Sequence, residues 1–179
     1  GYPNLEVQSA LNDVLLKSLL ADPGAAEAVV SRLYDVLSTA DFDALEVHFR
    51  ALFAAIPADW HRRNTIGEYE GYYASVFYSH FAALGLDIRV EDATSRGRVD
   101  MTVLFEGRVF VFEFKVVEQE PEGRALEQIL ARRYADKYLD LGQPIHLIGV
   151  EFNRKERNLC AFEVQSLPLP AAENAGPPG

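Results

Sequence analysis

Two runs rich in valine and phenylalanine, residues 99–105 and 108–116, are separated only by Glu106 and Gly107. β-Branched and aromatic residues favour strands, and a two-residue link that contains glycine is typical of a β-hairpin. Such a short turn fixes the register, because the last residue of the first strand must face the first residue of the second. This hairpin constrains the fold more than any other feature, since it decides which side chains of two neighbouring strands meet.

The sequence before the hairpin predicts helices followed by one short strand. Asp22-Pro23 and Asp41 are typical of helix starts, and Gly85 is typical of a helix end. We expect the helices before residue 60 to form a separate layer. The predicted helices cover residues 7–20, 23–37, 42–56 and 66–84, and the predicted strand covers residues 86–91.

The sequence after the hairpin predicts a helix over residues 124–141, ending at Gly142, and strands over residues 145–152 and 159–165. The first of these strands is almost entirely apolar, which is typical of a central strand. Helices that alternate with strands in this way predict an α/β fold, a mixed central sheet flanked by helices with an N-terminal helical extension. The predicted regions are helical residues 1–60, a core over residues 61–166 and a disordered tail over residues 167–179.

Composition limits the class of protein. The chain has 179 residues with one cysteine and no long uninterrupted apolar run, so we expect a cytoplasmic protein without a membrane partner. The net charge of −10 argues against nucleic-acid binding through a general positive field. Most of the acidic excess lies before residue 96, so an anionic partner would meet the second half.

The hairpin register places acidic side chains together. Asp100 falls opposite Glu113, and Lys115 shares their face of the sheet. At an effective dielectric of about 20, two unit charges about 5 Å apart repel by roughly 3 kcal/mol. A raised carboxyl pKa, neutralisation by Lys115, or a bound divalent cation such as Mg²⁺ would each relieve this repulsion. The alternative is a solvated salt-bridge cluster, which the apolar residues around the charges disfavour.

These residues resemble a known signature. Gly97-Arg98-Val99-Asp100, followed by Glu113-Phe114-Lys115, is similar to the motif of the PD-(D/E)xK nuclease superfamily, which has the restriction-endonuclease-like fold. Together with residues 1–4, 128–129 and 134–138, they resemble the nuclease-like domain found C-terminal to AAA-ATPase-like domains in many bacterial proteins. The resemblance therefore implies an AAA-type ATPase domain as a partner within a longer protein.

The resemblance implies roles for individual residues. Asp100, Glu113 and the backbone carbonyl of Phe114 would bind Mg²⁺ or Mn²⁺, and Lys115 would orient or activate the attacking water. It also implies a glutamate on the helix before the first strand, for which Glu70 is the candidate and Glu68 a weaker substitute. Glu70 lies at helical spacing within the apolar stripe of residues 66–84, which independently predicts an inward-facing carboxylate that needs a partner. The alternative is an ion pair between Glu70 and an arginine at the helix rim.

Gln128 resembles the glutamine that lies beside the active site in this superfamily. Its helix carries an apolar stripe of Leu126, Leu130, Tyr134 and Tyr138, and Gln128 falls on a different face. Arg124 and Arg132 share that face and, with Arg98, are candidate substrate-binding residues. A merely solvated helix face is the alternative. Glu91, at the end of the first predicted strand, is a candidate for a further acid, and a surface position is the alternative.

The leading hypothesis is a divalent-metal-dependent nuclease that hydrolyses phosphodiester bonds of nucleic acid, with DNA as the expected form. A catalytically silent nuclease-like module that partners an AAA-type ATPase is the alternative, and the net charge favours it. A structural helical adaptor over residues 7–56 is a third. No phosphate-binding GxxxxGK[ST] motif is present, so these residues do not themselves hydrolyse ATP. The candidate catalytic residues are Glu70, Asp100, Glu113, Lys115 and Gln128.

Overall fold

The computed structural model describes residues 23–55 and 70–167, except for the side chains of residues 23–30, 55 and 83. The predicted helix over residues 7–20 and the predicted tail beyond residue 167 lie outside these ranges. The elements are α1 (Pro23–Thr39), α2 (Phe42–Ala55), α3 (Glu70–Ala83), β1 (Asp87–Thr94), β2 (Gly97–Phe105), β3 (Arg108–Val117), α4 (Arg124–Arg132), a 3-10 segment (Tyr134–Leu141), β4 (Ile145–Asn153) and β5 (Asn158–Leu167).

The five strands form one mixed sheet in the order β1-β2-β3-β4-β5. Strands β3 and β4 are parallel, joined by α4 and the 3-10 segment, and the other neighbours are antiparallel. Every residue of β4 is buried, as its apolar sequence predicts for an interior strand. The predicted α/β architecture is confirmed.

One face of the sheet is covered by α1, α2 and α3. Phe49 of α2 stacks on Phe77 of α3 with ring centroids 3.6 Å apart, and Phe77 also contacts Phe114 of β3. Buried side chains of α1 and α2, such as Leu33, belong to this same core. Residues 23–55 therefore lie in one layer with α3 on this face and share the core of the sheet. The domain division at residue 60 stays a prediction.

The other face is covered by α4 and the 3-10 segment, which differ from the single helix predicted over residues 124–141. Arg133 adopts a left-handed conformation, with φ 52°, and its N–H is donated to the carbonyl of Leu130, so the α-helix ends there. The predicted apolar stripe was wrong at Leu130, which is 39% exposed, whereas Tyr134 and Tyr138 are buried as predicted. Ile129, outside that stripe, is fully buried. Gly142 does end the segment, with φ 60°.

The β1–β2 ribbon turns over halfway along its length. Val90 and Met101 form a pair that packs in the core beneath the helices. Asp92 and Val99, the next pair toward the turn, lie on the opposite face, which the 3-10 segment covers. Residues two apart on a regular strand share a face, so the ribbon must twist between these pairs. The twist falls at Glu91, a non-glycine residue with φ 46°, where the predicted strand ended. Beyond it, residues 92–99 form what we call the arm.

Among the helices of the described ranges, none has both the length and the apolar character needed to span a bilayer.

Candidate active site

The β2–β3 hairpin separates where its acidic residues lie. The predicted register is confirmed from Phe105–Arg108 to Met101–Phe112, and the paired ladder ends there. Asp100 and Glu113, which were expected to form the next pair, instead accept backbone hydrogen bonds with their side chains. The N–H of Phe114 is donated to Asp100 Oδ2 at 2.8 Å, and the N–H of Asp100 to Glu113 Oε2 at 3.4 Å. At this point the ladder of backbone pairs is replaced by side-chain to backbone hydrogen bonds, next to the twist of the β1–β2 ribbon at Glu91.

The two carboxylates lie in a buried setting that disfavours their charge. Glu113 has a side chain only 2% exposed, and burial, followed by repulsion from Asp100, raises its pKa to about 7. Burial likewise raises the pKa of Asp100, although the Phe114 N–H and the Lys115 ammonium oppose the change. Without further positive charge, the pair therefore favours holding a proton near neutral pH.

Lys115 supplies the nearest positive charge. Its Nζ lies 3.3 Å from Glu113 Oε1 and 3.5 Å from Glu70 Oε2. Burial alone would lower the pKa of Lys115, but the carboxylates of Glu113, Glu70 and Asp100 together raise it. The ammonium therefore stays protonated at neutral pH and lies between a buried carboxylate and a surface carboxylate.

Glu70 reaches the cluster from the first residue of α3, at its rim. Its side chain is 46% exposed, so the expectation that it faces inward within the apolar stripe was wrong. The rim position does supply a basic partner, but this partner is Lys115 rather than an arginine.

Gln128 completes the cluster from α4. Its Nε2 donates to Glu113 Oε1, the same oxygen that Lys115 Nζ approaches. Two donors on one oxygen fix the orientation of the Glu113 carboxylate. The structure thus brings together all five candidate catalytic residues, namely Glu70, Asp100, Glu113, Lys115 and Gln128.

Two residues of β4, missed in the sequence, hold α4 against the sheet. Gly149 allows the helix backbone to approach closely, because a Cβ at this position would lie 2.3 Å from the nitrogen of Leu126. The carboxylate of Glu151, which is fully buried, accepts the N–H groups of Glu122 and Arg124, each at 2.6 Å. It also accepts the N–H of Ala125 at 3.3 Å, so it caps the start of the helix. An acidic residue within an all-buried strand was the available signal for Glu151.

The predicted substrate-binding arginines lie around the cluster in different settings. Arg98 Nη1 lies 3.3 Å from Glu91 Oε2 at the exposed twist of the ribbon. Arg124 forms an ion pair with Glu122, beside the start of α4. Arg132 extends from the end of α4 and donates to the backbone carbonyl of Arg96 at 3.4 Å. Arg124 and Arg132, which were predicted on one helix face, therefore have different partners: a carboxylate for Arg124 and a backbone carbonyl for Arg132.

A second acidic residue, Asp92, ties the arm to the 3-10 segment. Its carboxylate is 7% exposed and accepts hydrogen bonds from Thr102, Tyr138 and Lys137. Lys137 also donates to the carbonyl of Ala93 at 3.1 Å. Because every one of these groups has a partner, we interpret this network as structural.

The donor set of the cluster suits a hard cation. In the part of the chain that the structure describes, no three His, Cys, Asp or Glu side chains are grouped to hold an ion by themselves. Asp100 and Glu113, however, offer two carboxylates, and the carbonyl of Phe114 adjoins them in sequence. Mg²⁺ is commonly bound by one or two carboxylates and keeps several waters or phosphate oxygens as its other ligands. Burial raises the pKa of both carboxyl groups, so a bound cation would favour their charged forms.

A mixed sheet that carries two carboxylates and a lysine where two strands separate defines a nuclease-like fold. Residues 68–162, just over half of the chain, match the family model of the PD-(D/E)XK nuclease superfamily. The chain belongs to this superfamily, as its motifs suggested. The matched segment contains all the candidate catalytic residues. Nucleases of this superfamily generally use divalent metals and act on nucleic acid.

A relative of known sequence occurs in Azotobacter chroococcum mcd 1, where it is described as an uncharacterized protein in the vnfD 5′ region. The two sequences are 58% identical over 166 residues, which cover 93% of this chain and 32% of the relative. The chain thus spans about a third of the length of the curated relative that it matches. The association with an AAA-type ATPase domain stays a prediction.

Proposed function

We propose that this domain is a divalent-metal-dependent nuclease that hydrolyses phosphodiester bonds of nucleic acid, with DNA as the expected substrate and the cytoplasm as the expected location. The observation that carries the proposal is the convergence of Asp100, Glu113 and Lys115 where β2 and β3 separate. A cation held by these two carboxylates, together with the adjacent ammonium, would place positive charge where negative charge develops on the phosphate oxygens in phosphoryl transfer.

The cation would be held by Asp100, Glu113 and the backbone carbonyl of Phe114, with Glu70 as a further candidate ligand. When bound, Mg²⁺ or Mn²⁺ supplies the positive charge that polarises the phosphate group and lowers the pKa of water. The hydrogen bond from the Phe114 N–H fixes Oδ2 of Asp100, which leaves Oδ1 without a hydrogen-bond donor among residues 23–55 and 70–167.

Lys115 would position the attacking water and offset the negative charge that forms on the phosphate. Its ammonium is held between Glu113 and Glu70, so its direction is set before substrate arrives. Gln128 would act through Glu113, because its amide N–H groups hold one carboxylate oxygen in place. Gln128 is therefore a positioning residue in this proposal, and Arg98, Arg124 and Arg132 are candidates for substrate contact.

The second candidate function is a catalytically silent, nuclease-like module that partners an AAA-type ATPase. The net charge of −10 favours this candidate, because nucleic-acid enzymes usually offer a more basic surface. The complete set of Asp100, Glu113 and Lys115 argues against it, since a silent domain has no need to retain a costly buried charge cluster.

The test is release of phosphodiester products from labelled DNA and RNA, in the presence of Mg²⁺ or Mn²⁺. We expect cleavage by the wild type and a loss of about 100-fold or more in Lys115→Ala, in line with removal of one charge-stabilising donor. Lys155→Ala is the matched control, because Lys155 is an exposed lysine in the β4–β5 turn. No product with either ion, or an unchanged rate in Lys115→Ala, would contradict the proposal; binding without cleavage would favour the silent module.

A further inference from the structure

The arginines near the cluster are not evenly distributed around it. Arg132 lies one helical turn beyond Gln128 on α4, about 6 Å along the helix axis. Its guanidinium donates to the carbonyl of Arg96 in the turn of the arm, so the end of α4 and the arm meet. Arg98 lies on β2 two residues before Asp100, about 7 Å along the strand. Arg96, Arg98 and Arg132 therefore lie on the side of the cluster that faces the arm.

These cations differ in their partners from those on the opposite side. On the side of the β3–α4 loop, Arg124 pairs with Glu122, and Arg154 pairs with Glu118 at 3.2 Å. On the arm side, within the described ranges, neither Arg96 nor Arg132 has a carboxylate partner. The side chain of Arg98 is 69% exposed, and its contact with Glu91 is also exposed, so an incoming anion can compete for it.

The arm that carries two of these arginines is held in place. Lys137 and Tyr138 bind Asp92 at its base, and Lys137 binds the carbonyl of Ala93. Near its tip, Gly97 approaches Tyr134 so closely that a Cβ would lie 3.2 Å from the hydroxyl oxygen. A surface that is fixed before binding loses little conformational freedom when a ligand binds.

We propose that the phosphate backbone of the nucleic-acid substrate crosses the arm side of the cluster and is held there by Arg96, Arg98 and Arg132. This inference rests on the proposed nuclease function and adds to it the path of the substrate. On a chain with a net charge of −10, long-range attraction is weak, so binding depends on local cations. Arg96 and Arg132 have no carboxylate partner in the described ranges, and the ion pair of Arg98 with Glu91 is exposed. On the loop side, Glu118 and Glu122 form ion pairs with the nearby arginines, so fewer unpaired cations are available there to bind a phosphate backbone.

The test measures binding without cleavage. Fluorescence anisotropy of a short labelled DNA, single-stranded or duplex, is recorded with chelator present and over a range of salt concentrations. The variants are Arg98→Ala and the double variant Arg96→Ala/Arg132→Ala. The matched control is Arg108→Ala, since Arg108 begins β3 at the end of the strand remote from Glu113. Thermal melting verifies that each variant folds.

We expect the double variant to bind at least 10-fold more weakly than the wild type at low salt. Its plot of log affinity against log salt should become shallower by about two, one for each lost phosphate contact. For Arg98→Ala the slope should become shallower by about one, whereas Arg108→Ala should leave the affinity and the slope unchanged. Wild-type affinity in the double variant, or an equal loss in Arg108→Ala, would overturn the inference, and so would failure of the wild type to bind.

The two proposals fail separately. Cleavage by a wild type whose binding does not depend on Arg96 and Arg132 would leave the nuclease function standing and remove the path. Binding that depends on these arginines, with no cleavage under Mg²⁺ or Mn²⁺, would support the path and contradict the catalytic function.

Discussion

Gly149 lies directly beside Glu113 in the parallel β3–β4 pair, and a methyl group at Gly149 would lie 2.3 Å from the backbone nitrogen of Leu126. The residue next to the central carboxylate is thus the one at which α4 touches the sheet backbone. This close approach brings Gln128, half a turn beyond Leu126, within hydrogen-bond reach of Glu113. The position of Gln128 beside Glu113 therefore depends on residue 149 being a glycine, which has no side chain.

Gly149→Ala should push α4 away from the sheet. We expect a loss of about 1–3 kcal/mol in the free energy of unfolding, as for overpacking of a tight core, together with reduced nuclease activity. Denaturant unfolding and cleavage rates are the measurements. Gly107→Ala is the comparison, because Gly107 has open space around it but φ 71°, so its cost of roughly 1 kcal/mol comes from the backbone alone. Equal activity losses in the two variants would contradict the positioning role of Gly149.

Glu151→Ala should loosen the start of α4. The variant leaves the N–H groups of Glu122, Arg124 and Ala125 without this acceptor, and hydrogen bonds to a charged group are worth about 1.5–3 kcal/mol each. We expect a loss of several kcal/mol in the free energy of unfolding and faster amide hydrogen exchange at these three positions. Glu151→Gln should restore part of the protection, since its amide oxygen still accepts. Unchanged exchange in Glu151→Ala would contradict the capping role.

Much of the fold could be predicted because strong local signals agreed with tertiary structure. The Glu106-Gly107 turn fixed the register of β2 and β3, and the apolar run that became β4 indicated an interior strand. The break at Arg133 could not be predicted, because the helical spacing continues through it and the burial of Tyr134 and Tyr138 decides the geometry. Local patterns do not report such tertiary choices.

The hairpin part of the candidate site could be predicted from the residues themselves, whereas Glu70 and Gln128 were named through the family resemblance. The spacing of Asp100, Glu113 and Lys115 along one hairpin is readable from the register. The roles of Gly149 and Glu151 depend on how a helix that follows β3 returns over β4, which the spacing of residues does not encode. Glu70 was expected to face inward, but its place at the first described turn of α3 gives it solvent on one side. Contacts between elements distant in sequence were thus the part that the sequence left open.

Divalent cations should stabilise the folded domain. If Mg²⁺ or Mn²⁺ binds the folded cluster and not the unfolded chain, the melting temperature should rise with ion concentration. Asp100→Asn should remove most of this increase, because it deletes one of the two carboxylates. Asp87→Asn is the matched control, since Asp87 lies at the start of β1 and pairs with Arg89 at 3.5 Å. Calorimetry with and without the ions measures the effect, and an equal increase in the Asp100 variant would exclude this pair as the ligand site.

The stability of the metal-free domain should depend on Glu113 between about pH 5 and pH 7. Burial and the neighbouring Asp100 raise the pKa of Glu113 from 4.5 to about 7 in the folded chain. Between these two values the folded state holds a proton that the unfolded state has released, so raising the pH favours unfolding. The stabilisation is complete below the unfolded value and is lost as the pH rises through the folded one, at up to about 1.4 kcal/mol per pH unit.

Denaturant unfolding with chelator present, at intervals from pH 5 to pH 8, measures this dependence. Glu113→Gln has no proton to release, so its stability should fall less than that of the wild type across this range. Asp100, whose pKa is also raised, should leave a residual fall of the same sign in the variant. Parallel curves for the wild type and Glu113→Gln would show that Glu113 titrates at its ordinary pKa, and hence that the carboxylates do not need the added positive charge on which the proposed cation site depends.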